Sequence, residues 1–145
     1  MDFKVVSADD ILKLRHKVLR ENKPLSTAHF EGDNLDTTFH FAALTQNKIV
    51  GCVSLIPVSH EDFDELNPYQ LRGMAVDPQF QGQHIGNRLL DFTSKQLLLR
   101  KINFVWCNVR TSAIEFYAKN NFIQNGEIFE ISNVGPHILM FKFLH

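Results

Sequence analysis

Gln81-Gly82-Gln83-His84-Ile85-Gly86 joins an apolar, strand-like run, Leu71 to Val76, to a long amphipathic pattern. A strand that passes through a polar, Gly-containing turn into a helix is anion-binding architecture. The first helical turn has backbone N–H groups without an intrahelical acceptor, and the aligned peptide dipoles leave that end partly positive, so phosphate is a natural ligand. The turn is neither a P-loop, since no Gly-Lys-Ser/Thr follows, nor Gly-x-Gly-x-x-Gly. Another kind of phosphate-binding turn is required.

The hexapeptide from Gln81 to Gly86 resembles the Gln/Arg-x-x-Gly-x-Gly/Ala signature of the GNAT superfamily, the acyl-CoA-dependent N-acyltransferases. Gln81 and Gly86 match, and His84 stands where that family usually has Gly. A register starting at Gln79 puts Gly82 at the fourth position but His84 at the sixth, where the helix must pack closely, so the Gln81 register is preferred. Asn108-Val-Arg-Thr-Ser-Ala-Ile-Glu-Phe-Tyr-Ala-Lys-Asn-Asn-Phe122 is similar to the second signature of the family, with Asn121 in place of its Gly. That replacement is mild, because Asn tolerates the left-handed conformation at a helix C-terminus. Thr38-Phe-His-Phe41, Gln70-Leu-Arg-Gly-Met-Ala-Val76 and Val134-Gly-Pro-His137 followed by Met140-Phe-Lys142 extend the resemblance, to a bacterial-type branch, over nearly the whole chain.

The resemblance implies an α/β (α+β) fold: a mixed, mostly antiparallel sheet of six to seven strands, a splayed fourth and fifth strand, and about four helices. It also implies acetyl-CoA as cosubstrate and transfer of the acyl group to a primary amine of a small molecule or a protein, by direct attack in a ternary complex. Backbone groups of Met74, Ala75 and Val76, opposite Asn108, would hold the pantetheine arm. The N–H groups of Gln81, Gly82, Gln83, His84, Ile85, Gly86 and Asn87 would meet the pyrophosphate, and Tyr117 would protonate the departing thiolate. From the residues alone, Asn108 either bonds the pantetheine or satisfies a strand end, and Phe116-Tyr117 is also read as an aromatic core pair. Gly73 fits a bulge or a close backbone approach. Arg72 is a positioning or ion-pair group, since a guanidinium does not give up its proton. As bases, Glu31, His40, His60, Glu61 and His137 qualify by location only. A CoA-binding module with little catalysis is the alternative, and a nucleotide-binding module unrelated to CoA accounts for fewer of the motifs.

Composition narrows the partners. With 15 Lys and Arg against 16 Asp and Glu, the chain lacks the basic footprint that nucleic-acid binding requires. No apolar run approaches a spanning helix and the amino end has no signal-peptide core, which leads to an expectation of a cytoplasmic protein without a membrane partner. Cys52 and Cys107 sit in apolar runs with no Cys-x-x-Cys, and the seven histidines form no His-x-x-x-His pair, so neither a disulfide framework nor a metal is expected. Dimerisation is common in the family, which leaves a homodimer open.

The elements that must position these residues follow from periodicity and punctuation. Residues 1–145 read as a single domain. Phe3 to Val6 predicts a strand, and Ser7-Ala-Asp-Asp10 caps a helix with Ile11, Leu14, Val18 and Leu19 on one face. Asn22 to Asp36 is irregular, with at most one short helical turn, and in the resembled family shapes the acceptor pocket. Phe39 to Leu44 and Ile49 to Ile56 predict a hairpin around Gln46-Asn-Lys48, followed by a loop to about Pro68 and the strand Tyr69 to Val76. Gly82 to Arg100 predicts a helix, Asn103 to Val109 a strand, and Ser112-Ala-Ile-Glu115 a capping box for a helix carrying Tyr117. Phe122 to Ile131 and Pro136 to Leu144 predict the last strands.

Overall fold

The computed structural model describes residues 1–145. Seven strands form one sheet: β1 (Asp2–Val6), β2 (Phe39–Thr45), β3 (Lys48–Ile56), β4 (Tyr69–Val76), β5 (Phe104–Arg110), β6 (Ile123–Ile131) and β7 (Gly135–Phe143), in the order β1-β2-β3-β4-β5-β7-β6. All neighbours are antiparallel except β4 and β5. Three α-helices, α1 (Ala8–Leu19), α2 (Ile85–Leu99) and α3 (Ile114–Lys119), pack on it, joined by short 3-10 turns, one of which, Leu25–Ala28, is the single helical turn expected between Asn22 and Asp36. No helix is long and apolar enough to cross a membrane.

Local chemistry explains the boundaries. Ser7 and Asp10 form the reciprocal capping box of α1, at 3.0 and 3.2 Å. Gln46 and Asn47 both have positive φ, 50° and 63°, which suits a two-residue hairpin turn between right-twisted strands. Asn121, with φ 70°, ends α3 in the left-handed conformation, as its place in the signature leads one to expect. The predicted capping box at Ser112 is not formed: Thr111–Ala113 is a 3-10 turn, and α3 starts after Ala113 with no side-chain cap. Nor does α2 begin at Gly82, because Gly82 and His84 hold φ of 82° and 60° and the helix starts only at Ile85.

The sheet has two covered faces. Leu71, Leu89, Leu97, Val105, Cys107, Tyr117 and Met140 belong to the main core beneath α2 and α3. On the opposite face Ile11 and Leu14 of α1 pack against Ala42, Cys52 and Ala75. Beyond α1, Phe63, from the loop between β3 and β4, packs with Phe104 and Trp106, and Trp106 Nε1 donates to the Val58 carbonyl at 2.9 Å to hold that loop down. Burial of apolar area at about 25 cal/mol per Å² is the main favourable term for all three layers.

Candidate active site

The single parallel junction of the sheet is nearly absent. β4 and β5 pair only at Tyr69 with Val105 and Gln70 with Trp106, and then separate. From Leu71 to Val76 the edge of β4 that faces β5 therefore has no partner strand. Unpaired backbone groups at a sheet edge are ready sites for an extended polar ligand. Gly73 marks the departure: its φ is 64°, and the β3–β4 register shifts between Cys52 and Ser54, so β4 carries an extra residue there. A Cβ at this position would lie 3.0 Å from the Phe30 ring and 3.1 Å from Arg15 Nε, which makes it a bulge that also needs close approach.

Two concavities open from the gap. A groove of about 700 Å³ is lined by Met74, Ala75 and Val76 and by Gln81, Gly82, His84, Ile85, Gly86 and Asn87. Here α2 presents an N-terminus that no side chain caps, so its first N–H groups remain available. Met74–Val76 and the turn are thus brought to one surface. Within it, Ile85 and Ala75 have buried side chains, so only their backbones are on offer. Gln81 folds back, its Nε2 donating to the Val76 carbonyl at 3.3 Å. A Cβ on Gly86 would stand 3.0 Å from the Phe116 ring and 3.4 Å from Met74, so the missing side chain keeps the groove floor open. Gln83 is exposed in the same turn but does not line the groove.

His84 occupies the position just before α2 in the left-handed region, exposed and without a capping bond. The Gly usual at this place in the signature has a backbone reason, since glycine enters that region at no steric cost, whereas most L-residues pay about 1–2 kcal/mol. The side chain is exposed and lines the groove.

The second concavity, a cleft of about 330 Å³, lies on the other side of Met74 and Tyr117, which line both spaces. Tyr117 is 6 % exposed, its hydroxyl beside the Cys107 thiol. Burial first, and then the thiol, push its pKa well above the usual tyrosine value, so it is a hydrogen-bond donor at any physiological pH. Cys107 itself is raised to about 12 by burial, which the neighbouring Tyr117 and Arg72 only partly oppose. A thiol so high is no nucleophile. Asn108 reaches this cleft and a separate hollow containing His60, but not the α2 groove.

The candidate bases separate cleanly. His40 is buried in a polar network: Arg15 donates to both carboxylate oxygens of Asp33 (2.6 and 3.1 Å) and to Ser54 Oγ (2.6 Å), Ser54 Oγ meets His40 Nδ1 at 2.6 Å, and His40 Nε2 donates to the Asp33 carbonyl at 2.8 Å. Every polar ring atom of His40 is thereby used. His60 stacks edge-on against Trp106, and Glu31 and Glu61 are exposed outside both concavities. Only His137 lines the cleft; its Nδ1 donates to the Gly135 carbonyl at 2.8 Å, which leaves Nε2 able to take a proton. Arg20 and Arg110 in the same wall carried no sequence signal, since they come from the end of α1 and the end of β5. Arg72 has no carboxylate partner; its guanidinium lies 4.3 Å from the centre of the Phe30 ring, in place of an ion pair.

Comparison with known proteins agrees with this fold. A family model described as an acetyltransferase (GNAT) domain matches residues 36–124, well over half of the chain. The Bacillus subtilis (strain 168) protein YitI, named an uncharacterized N-acetyltransferase, is 29 % identical over 144 residues, covering 99 % of this chain and 97 % of that one. An aminoglycoside 6'-N-acetyltransferase crystallised with coenzyme A superposes with a TM-score of 0.80 at 18 % identity, over 100 % of this chain and 98 % of the other. ElaA of Escherichia coli does so with a TM-score of 0.78 at 18 % identity, over 98 % and 99 % of the two chains. At such identities the structures speak for the fold.

Proposed function

Because the chain belongs to the acetyltransferase (GNAT) family, we propose that it transfers an acetyl group from acetyl-CoA to a primary amine in the cytoplasm. The observation that carries this reading is the gap between β4 and β5, with an uncapped helix N-terminus at one end and Tyr117 at the other. The groove fits the cosubstrate: an unpartnered strand edge suits the amides of a pantetheine arm, and the turn from Gln81 through Asn87 suits its pyrophosphate. Acetyl-CoA supplies an activated acyl group as a thioester.

The chain's own residues then have separate tasks. Backbone N–H groups of the β4 edge polarise the acyl carbonyl, and Met74 packs beside the thioester. The amine approaches from the cleft, so that the N–C bond forms as the C–S bond breaks. Its proton leaves through water or His137 Nε2, and Tyr117 donates to the sulfur. Cys52 and Cys107, both free and both raised to about 12 by burial, do not carry the acyl group, which favours direct transfer within a ternary complex. Free cysteines also agree with a reducing compartment.

Calorimetry with acetyl-CoA and with CoA, followed by thiol release on a panel of amines, tests the proposal. The expected result is saturable binding of both ligands and amine-dependent thiol release. Absence of binding at millimolar ligand would sink it, and binding without release above hydrolysis would make the protein a CoA-binding module instead.

A further inference from the structure

The cleft on the far side of Tyr117 has one sign of charge. Arg20, Arg72 and Arg110 line it and no Asp or Glu does. The molecule has carboxylates to spare, 16 of them, yet its ion pairs form elsewhere: Arg15 with Asp33, Lys17 with Asp77, Lys95 with Asp91 and Lys119 with Glu115. None of the three cleft arginines is paired with a carboxylate, and the one hydrogen bond that the Arg20 guanidinium makes is to the Leu19 carbonyl at 2.9 Å. Burial first, and then neighbouring positive charge, hold both Arg20 and Arg72 below the usual arginine range: Arg20 feels Arg110 and Arg15, and Arg72 feels Arg15 and Arg20, partly offset by Asp33. Converging like charges with no carboxylate paired to them cost free energy unless a ligand offsets it.

The arrangement is also held in place. The Phe30 ring gathers three guanidiniums, Arg15 at 3.9 Å from its centre, Arg72 at 4.3 Å and Arg20 at 5.5 Å. Phe30 is fixed in turn, because its N–H donates to Asp33 Oδ2 at 2.9 Å and Asp33 is clamped by the buried Arg15. A guanidinium stacked on a ring presents its planar fork without further ordering, and that fork matches the oxygens of a carboxylate or phosphate. At about 330 Å³ the cleft is at the small end of ligand pockets, which run from about 300 to 1,000 Å³. Its position does not suit the diphosphate of CoA, since these arginines are absent from the groove that holds the α2 turn.

We propose that the acceptor is a small primary amine that also bears an anionic group, a carboxylate or phosphate, which Arg20, Arg72 and Arg110 bind while the amine faces Tyr117. The assignment rests on the acetyltransferase reading and narrows it to a substrate class. Polyamines and aminoglycosides are rejected by the same charges.

The test begins with acetyl-CoA binding by calorimetry, whose absence would sink the acetyltransferase reading by itself. Thiol release is then measured with matched amines: glutamate, its amides and its decarboxylation product, together with phosphoethanolamine, spermidine and an aminoglycoside. An anionic amine is expected to exceed its neutralised counterpart by about tenfold or more in kcat/KM, with carboxylate and phosphate arms showing which anion is preferred. In Arg72→Gln and in the exposed Arg110→Gln, KM for that amine should rise about tenfold or more while KM for acetyl-CoA stays within about twofold. Preference for a neutral or cationic amine overturns the proposal, as does an equal loss on all amines in both variants. If no amine is turned over, N-acetylglutamate and phosphoethanolamine are titrated into the CoA-saturated protein. Binding of one of these anions that weakens in Arg110→Gln supports the assignment, and binding of neither overturns it.

Discussion

Tyr117 and His84 carry opposite kinds of argument. The phenol is buried, donates at every physiological pH and faces both spaces of the gap, which suits a group that stabilises sulfur as the C–S bond breaks. A thiolate with an intrinsic pKa of about 8.5 leaves readily, so the gain is modest: Tyr117→Phe should lower kcat by about tenfold and leave KM for acetyl-CoA within about twofold, in steady-state assays of thiol release. Full turnover in the variant would remove the role. His84 instead pays for its backbone. In His84→Gly the left-handed strain of about 1 kcal/mol disappears, partly offset by the greater freedom of glycine in the unfolded chain. Thermal melts should show equal or slightly higher stability, and calorimetry equal or tighter CoA binding. A large loss of affinity would show instead that the imidazole touches the ligand.

The bulge in β4 is the element-scale device. Gly73 turns the strand away from β5, and the space its side chain would fill belongs to Phe30 and Arg15. Gly73→Ala should cost about 1–2 kcal/mol in urea unfolding and depress activity further than that loss of stability explains, because Phe30 and its stacked Arg72 must shift. Unchanged unfolding and activity would mean that the bulge bears no strain. The strand pattern was legible in the sequence because short apolar runs such as Phe39–Leu44 and Ile49–Ile56 are bounded by turn residues. The capping box at Ser112 was misleading, as the same residues also suit a 3-10 turn when Arg110 enters extended. The turn from Gln81 to Gly86 could be located by its spacing. Arg20, Arg72 and Arg110 could not be grouped, because α1, β4 and β5 bring them together only through the sheet order.

At the scale of the whole molecule, the buried Arg15–Asp33–Ser54–His40 network ties the segment before β2 to α1 and β3. Burial works against ionisation of Asp33, but hydrogen bonds from Arg15 and the Phe30 N–H outweigh it and hold the carboxyl below the ordinary aspartate value. A lowered folded-state pKa means that the pair's stabilisation is complete above the unfolded value of about 3.9 and is lost as pH falls through the folded one. Thermal melts should therefore be nearly flat from pH 5 to 7 with respect to this group and fall below about pH 4. A melt unchanged down to pH 2 would contradict the network's role. Arg15 Nε alone lacks a partner there, beside Gly73. The brief pairing of β4 with β5 has a mechanical meaning as well. Two leaves, β1 to β4 and β5 to β7, are fastened along their backbones at only two rungs, so the width of the slot between them is set by side chains such as Leu71, Val105 and Met140 in the common core. Core packing is then the spring that gauges the slot, and trimming Val105 or Met140, which line neither concavity, would change the width of the slot from a distance.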